Sequence, residues 1–254
     1  MMRLIPFLLL SSLASVAIAG NFTICSTGFQ TATASGCGPA VVSPAANTLS
    51  ADGNWYVASN SSGTMLSNAF VTVNNAYPVG PTNPTANPWL PNDAQSSWLY
   101  PSATQGAPFP DKQTYYFGQQ FTLAQSAAST AQVSGFWLAD DYGAGVYLNG
   151  VSVSQTSLPM FNGLGGPMVG FNIQNGVNNA VFQGGVNAIV FGAVNDASNH
   201  GQFASQPTPT GVRVYFNSSS FLTSSVPEPG TIILIGGGLI GLALAAARRR
   251  RSLA

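Results

Sequence analysis

The sequence predicts an all-β fold built on one sizeable body. Short runs of Val, Ile, Phe and Tyr alternate with Gly, Pro, Asn and Asp, and no long stretch between the two ends has a helical period. The chain is 11% aromatic, which supplies apolar area that disordered chains lack. Roughly 200 residues remain between the termini, a size at which β-sandwiches often form a single domain.

Eight runs have the alternation or the β-branched and aromatic content of strands. Asn149 and Gly150 lie between two of these runs and predict a two-residue hairpin turn, which needs positive φ at both positions. The proline-rich stretch 75–110, which contains Trp89 and Trp98, predicts a long irregular excursion. The predicted strands are 54–58, 69–74, 115–123, 132–139, 145–148, 151–154, 187–194 and 212–216.

Charge is sparse and unevenly placed, since only 6% of the residues are charged. The stretch between the termini has two cations, Lys112 and Arg213, against six aspartates, a net charge of −4. A nucleic-acid partner is therefore not expected, because phosphate neutralisation needs clustered Lys and Arg.

The N-terminal segment 1–19 predicts a cleavable secretory signal helix. Arg3 precedes an apolar run over 4–18, and Ala17 and Ala19 provide the small residues of a cleavage site. We expect the mature chain to begin near Gly20 and to be exported.

The C-terminal segment 226–254 predicts a membrane anchor with a cytoplasmic stop. Residues 231–247 are uncharged and, as a helix, span about 25 Å of a hydrocarbon core of about 30 Å. The cations that follow resist translocation and stay on the cytoplasmic side. These cations are Arg248, Arg249, Arg250 and Arg251.

The order of Pro227, Glu228 and Pro229, an apolar glycine-containing helix and an arginine cluster resembles the PEP-CTERM sorting signal of bacterial exported proteins. That resemblance implies recognition by an exosortase, a membrane enzyme that cleaves near the Pro-Glu-Pro motif. On this interpretation the protein is anchored in the inner membrane only as a precursor, before exosortase cleavage. An ordinary C-terminal anchor with a proline-rich junction is the alternative.

Cys25 and Cys37 are the only cysteines, and export permits a disulfide between them. Such a bridge constrains the unfolded chain by roughly 3 kcal/mol on the loop-entropy estimate. A structural zinc site needs four ligands, so these two residues do not predict one.

The middle of the chain, over 48–217, resembles the galactose-binding-like jelly rolls that often precede PEP-CTERM signals. The matching runs include DGNW at 52–55, WLADD at 137–141 and VYLNG at 146–150. The resemblance implies a jelly-roll β-sandwich over 20–225 with the capacity to bind sugars. Residues 155–180 depart from the pattern, being rich in Gly and irregular.

Catalysis is not expected, because the sequence lacks the residue sets that common hydrolases use. A two-carboxylate glycosidase would have only the body aspartates to draw on, and a serine triad would have to recruit His200 from a polar loop without a G-x-S-x-G elbow. A cryptic hydrolase that uses an aspartate pair brought together by the fold stays open as an alternative.

A ligand site is the more open question. Trp89 and Trp98 are candidate platforms for a sugar, or they cap the core. Asp140, Asp141 and Asn149 are candidate contacts for a ligand and candidate oxygen ligands for a structural Ca²⁺, or the aspartates form a turn before Gly143. Arg213 is predicted either to contact a ligand or to pair with an aspartate.

These observations together predict an exported, non-catalytic protein of the bacterial envelope or extracellular polysaccharide matrix, with no cofactor except possible structural calcium. A self-assembling surface protein is an alternative, because a charge-poor body has little net repulsion.

Overall fold

A computed structural model describes residues 17–20, 22–30, 36–41, 49–72, 92–104, 109–153, 167–196 and 210–224. Residues 19–222 form one compact unit, and residues 1–18 group with 223–254 in another. The predicted signal segment before residue 17, Trp89, His200 and the predicted sorting segment 226–254 lie outside the described residues.

The described part of the chain consists almost entirely of β-strands, with one short helix, α1. The elements in chain order are β1 Ala17–Gly20, β2 Ser50–Ala58, β3 Met65–Val71, β4 Leu99–Tyr100, β5 Gln113–Leu123, α1 Gln125–Ala128, β6 Gln132–Asp140, β7 Tyr142–Leu148, β8 Val151–Ser152, β9 Val169–Gln174, β10 Gly185–Asn195 and β11 Gly211–Ser224.

The strands join in the order β8-β7-β10-β5-β2-β3-β4-β11-β6-β9, with β1 pairing β11 off this path. Every pairing with a defined register is antiparallel. The two-residue strand β4 links the wider first layer, which ends at β3, to the second layer of β11, β6 and β9. The fold is therefore all-β, as predicted, and is compatible with a β-sandwich.

Aromatic side chains from both layers fill the space between them. The ring of Phe191 on β10 lies 5.8 Å from that of Trp55 on β2 and 5.3 Å from that of Trp137 on β6. Phe171 on β9 and Phe216 on β11 complete the cluster at 5.4 Å and 6.3 Å from Phe191. Because side chains alternate along a strand, the residues next to these face the outside of each layer.

A smaller apolar cluster covers one end of the second layer on its outer side. Trp98 and Tyr100 pack there with Leu49 and Leu138, and all four are buried. Leu138 follows the inward-facing Trp137 on β6, so this cluster lies outside the main core. The proline-rich excursion thus returns to cover sheet surface, at least over its described residues 92–104.

All eight predicted strands overlap observed ones. Two further strands lie where none was predicted: β9 in the glycine-rich stretch 155–180 and the two-residue β4 within the excursion 75–110. The predicted hairpin turn is confirmed, since φ is 51° at Asn149 and 86° at Gly150. Residues Ala17–Gly20 form a strand, so the described end of the predicted signal helix is extended. No helix within the described ranges has the length and apolarity needed to cross a membrane.

Candidate functional site

A wide bulge in β2 opens the first layer. Ala51 pairs with Phe70 on β3, but the next pair is Tyr56 with Asn68, so residues 52–55 have no partner on β3. Extra residues on one strand of a ladder commonly lie next to functional sites. Here they border a cleft of about 390 Å³, which is lined by Thr23, Cys25, Asp52, Gly53, Asn54, Trp55, Tyr56, Met65, Asn68, Gln119 and Gln120.

Asp52 is the buried carboxylate of this cleft. One carboxylate oxygen accepts a hydrogen bond from the backbone N–H of Gly28 at 2.6 Å. The other accepts from the N–H groups of Asn54 at 2.8 Å and Trp55 at 3.1 Å. Burial raises the pKa of Asp52 to about 6, although these N–H groups and that of Phe29 act in the opposite direction. The side chain therefore joins the segment 22–30 to the bulge.

The inner wall of the cleft is held by the segment that carries the disulfide. The Cys25 N–H donates to Gln119 Oε1 at 2.7 Å, and Gln119 Nε2 returns a bond to the Cys25 carbonyl at 3.1 Å. Trp55 Nε1 donates to the same carbonyl at 2.9 Å. The predicted disulfide between Cys25 and Cys37 is present, with Cα atoms 5.5 Å apart. These contacts fix the inner wall in one geometry.

The rim of the cleft presents groups to solvent. Thr23, Asn68 and Gln120 are exposed, and the Met65 side chain is 59% exposed. Tyr56 lies beneath them, with its hydroxyl donating to the Gly63 carbonyl at 2.9 Å. The rim combines two carboxamides, a hydroxyl and a flexible apolar thioether, and no Lys or Arg is among the described residues that line the cleft. This chemistry suits a neutral ligand that both donates and accepts hydrogen bonds.

The predicted candidates Asp140 and Asp141 lie elsewhere, where β6 turns into β7. Both are buried, at 2% and 1% exposure. Thr210 Oγ1 donates to the Asp140 carbonyl at 2.8 Å, and the backbone N–H of Asp196 donates to Asp141 Oδ2. β6 ends at Asp140 and β7 begins at Tyr142, so the two aspartates lie where one strand passes into the other, and the turn before Gly143 stays a prediction.

Asn149 does not join these aspartates. It lies beyond the far end of β7, a strand of seven residues, or about 23 Å at about 3.3 Å per residue. Its side chain bonds to Asn187 Oδ1 at 2.9 Å and to the Ala188 N–H at 2.9 Å, so it holds the hairpin against β10. Among the described residues, no group of three or more His, Cys, Asp or Glu side chains is placed to hold a metal ion. Calcium therefore stays a prediction.

Arg213 forms an ion pair, one of the two predicted alternatives. Its Nη2 lies 2.5 Å from Asp93 Oδ2, and its Nε donates to Ser96 Oγ at 2.9 Å. Burial acts to raise the pKa of Asp93, but hydrogen bonds from the Gln95 N–H, Arg213 and the Ser96 N–H outweigh it, so the pKa is lowered. Because the Arg213 side chain is only 3% exposed, it anchors the segment 92–98 to β11.

Of the two predicted tryptophan platforms, the described one, Trp98, is 1% exposed and packs in the smaller cluster. It presents no ring face to solvent, so the structure places it as the core-capping alternative describes. Sequence reasoning missed Asn68 and Gln120 at the cleft. The run DGNW at 52–55 was the only signal near them, since the two amides come from separate strands that the bulge brings together.

One comparison with known proteins identifies the C-terminal segment. Residues 225–251 match the family model described as the PEP-CTERM protein-sorting motif. This segment is a PEP-CTERM sorting motif. It follows in sequence directly on β11, which ends at Ser224. The PEP-CTERM motif indicates exosortase-dependent sorting of an exported protein whose precursor is membrane-anchored. No curated protein and no solved structure matched the chain.

Proposed function

We propose that this PEP-CTERM protein is a non-catalytic carbohydrate-binding protein of the bacterial envelope or extracellular polysaccharide matrix. Its body is a galactose-binding-like jelly roll, and its ligand site is the cleft at the β2 bulge. The observation that carries the proposal is the neutral rim of amides and hydroxyls on a cleft whose walls are fixed by hydrogen bonds and a disulfide.

The chemistry of the rim favours sugars. A carboxamide both donates and accepts, which matches hydroxyl groups that do the same. Asn68 and Gln120 are exposed and stand on neighbouring sides of Tyr56, whose β-strand separates β3 from β5. Met65 adds apolar surface for the C–H groups of a sugar ring. The volume is at the small end of the range for ligand pockets, so it fits a short part of a glycan.

The arrangement of charges supports binding without hydrolysis. A glycosidase places two carboxyl groups on either side of the scissile bond. Among the described residues, Asp52 is the only carboxylate that lines the cleft, and its oxygens already accept hydrogen bonds from three backbone N–H groups. It is thus occupied in holding the bulge rather than directed at a ligand.

Affinity electrophoresis of the exported protein in gels that contain soluble neutral polysaccharides tests this proposal. We expect retardation by at least one glycan and its loss in the double variant Asn68→Ala/Gln120→Ala. Two lost hydrogen bonds of about 0.5–1.5 kcal/mol each weaken binding by roughly 5- to 150-fold. Gln95→Ala, an exposed amide on another segment, is the matched control and should bind like the wild type.

Three outcomes would count against this assignment. Absence of retardation in every glycan would remove the binding function, and equal retardation of the double variant would move the site away from the cleft. Release of reducing ends, lost in a single Asp→Asn variant, would make the protein a hydrolase.

A further inference from the structure

We propose a second glycan-contacting surface on the outer face of the second layer, separate from the cleft. This surface, called here the outer platform, consists of Phe136, Tyr215, Ser134, Asn172 and Ser218. It does not depend on the cleft binding anything, because it lies on β6, β9 and β11, whereas the cleft opens on β2, β3 and β5.

Phe136 and Tyr215 form the apolar centre of the outer platform. They are register partners on β6 and β11, and their rings are nearly parallel, at 8° with centroids 6.4 Å apart. Phe136 is 40% exposed at an outward position of β6, between the polar Ser134 and Leu138, which is buried in the smaller cluster. An aromatic ring there breaks the alternation expected of a strand with one solvated face.

The position beside Phe136 on β9 is Gly170. With no side chain at this exposed position, β9 leaves the edge of the aromatic pair uncovered. A Cβ atom built there would lie 3.6 Å from Phe136 Cε1, which is ordinary contact rather than a clash. Packing therefore does not require glycine at position 170, but glycine leaves the Phe136 ring more accessible than a residue with a side chain would.

Neutral polar groups border the rings. Ser134 Oγ lies 2.6 Å from Asn217 Oδ1 and 2.7 Å from Ser218 Oγ, so these hydroxyls are held in one arrangement. Asn172 is exposed on β9 beside Ser134. No charged residue of the three strands reaches this face in the open, since Arg213 and Asp140 are buried.

A partly exposed, stacked aromatic pair bordered by fixed hydroxyls and an exposed amide fits an extended neutral polysaccharide. The exposed part of the Phe136 ring offers apolar surface to the C–H groups of a sugar, while the bordering hydroxyls and amide form hydrogen bonds with its hydroxyl groups. The described residues of these three strands offer no exposed cation, which acidic glycans and phosphate-bearing partners need. A cross-strand aromatic pair stabilises a sheet by about 0.2–1 kcal/mol, which explains why Phe136 and Tyr215 stack but not why Phe136 is exposed.

The cleft and the outer platform face opposite ways. Tyr56 and Gln120 point out of the first layer because Trp55 points inward, and Phe136 points out of the second because Trp137 points inward. A molecule with both sites occupied would bridge two glycan chains, and each attached site would raise the effective concentration of the other.

Co-sedimentation of the exported protein with microcrystalline cellulose and with chitin particles tests the outer platform. We expect the wild type to sediment, Phe136→Thr and Asn172→Ala to bind at least fivefold more weakly, and Val186→Thr to bind normally. Val186 is a matched control because it is an apolar strand residue, 55% exposed, on the first layer. Asn68→Ala/Gln120→Ala should still sediment.

Failure of the wild type to bind either particle would overturn the outer platform, as would wild-type binding by both Phe136→Thr and Asn172→Ala. Asn172→Ala keeps the test valid if Phe136→Thr fails to fold. If soluble glycans retard the protein through the cleft but the protein binds neither particle, the outer platform is wrong and the proposed function stands. Loss of sedimentation in Asn68→Ala/Gln120→Ala alone would assign particle binding to the cleft.

Discussion

Asp52 shows how one residue determines the shape of the candidate site. A carboxylate buried to 5% exposure would ordinarily be costly, and here three backbone N–H groups from two segments converge on it. Two of these donors, the N–H groups of Asn54 and Trp55, belong to the bulge residues that have no partner on β3, and the third, that of Gly28, belongs to the segment 22–30. The same residue therefore makes the bulge possible and ties the disulfide segment to it.

The raised pKa of Asp52 makes stability depend on pH. The folded state keeps the proton up to about pH 6, whereas the unfolded chain releases it near 3.8. Between these values the folded state binds more protons, so the free energy of unfolding falls as pH rises, by about 3 kcal/mol in all. Urea unfolding from pH 3.5 to 7 should show this fall in the wild type and its absence in Asp52→Asn. A parallel pH dependence in both proteins would contradict it.

Gly28 is a second residue on which the site depends. Its φ is +94°, and a Cβ atom there would lie 2.6 Å from Ser97 Cβ. Gly28→Ala should lower the free energy of unfolding by about 1–3 kcal/mol, because both the backbone and the contact become strained. Urea titration measures this. Gly176→Ala is the control, since Gly176 also has positive φ but nothing lies within 4 Å of its Cβ position.

At the level of elements, alternation predicted the strands that form the two layers but not β9. The β9 strand contains Phe171 and Ile173 at buried positions, which is ordinary strand alternation. The alternation extends over only a few residues and is flanked by glycine-rich sequence, so it was too short to predict a strand. The excursion 75–110 was predicted as irregular, and only tertiary packing of Trp98 shows that it covers sheet surface.

The cleft could not be predicted from the sequence because its parts come from different strands. The wide bulge depends on a register between β2 and β3 that no local pattern specifies. Asn68 and Gln120 read as ordinary outward residues of two strands. The disulfide, by contrast, was predictable, since the chain has only two cysteines and export allows them to pair.

Removing the disulfide should destabilise the segment that forms the inner wall. We expect Cys25→Ala/Cys37→Ala to lose roughly 3 kcal/mol of unfolding free energy on the loop-entropy estimate. The Cys25 backbone bonds to Gln119 survive this change, so the fold should remain. Denaturant unfolding of the variant and of the reduced wild type should give the same loss. A variant as stable as the oxidised protein would show that the bridge contributes nothing.

For the whole molecule, the formal net charge of zero describes a precursor. Five of the seven cations lie in the terminal segments, and the body between them has Lys112 and Arg213. Arg213 pairs with Asp93, so the surface of the body carries few charges and these are mostly acidic. Such a surface is consistent with neutral partners and with the sorting motif, which indicates export of the protein.

Intact-mass spectrometry of the exported protein tests most directly the central claim, that the working molecule is the processed β body. The expected mass corresponds to a chain that begins near Gly20 and has lost the segment after Pro227, Glu228 and Pro229. A mass that still includes Arg248 through Arg251 on the exported protein would contradict the claim.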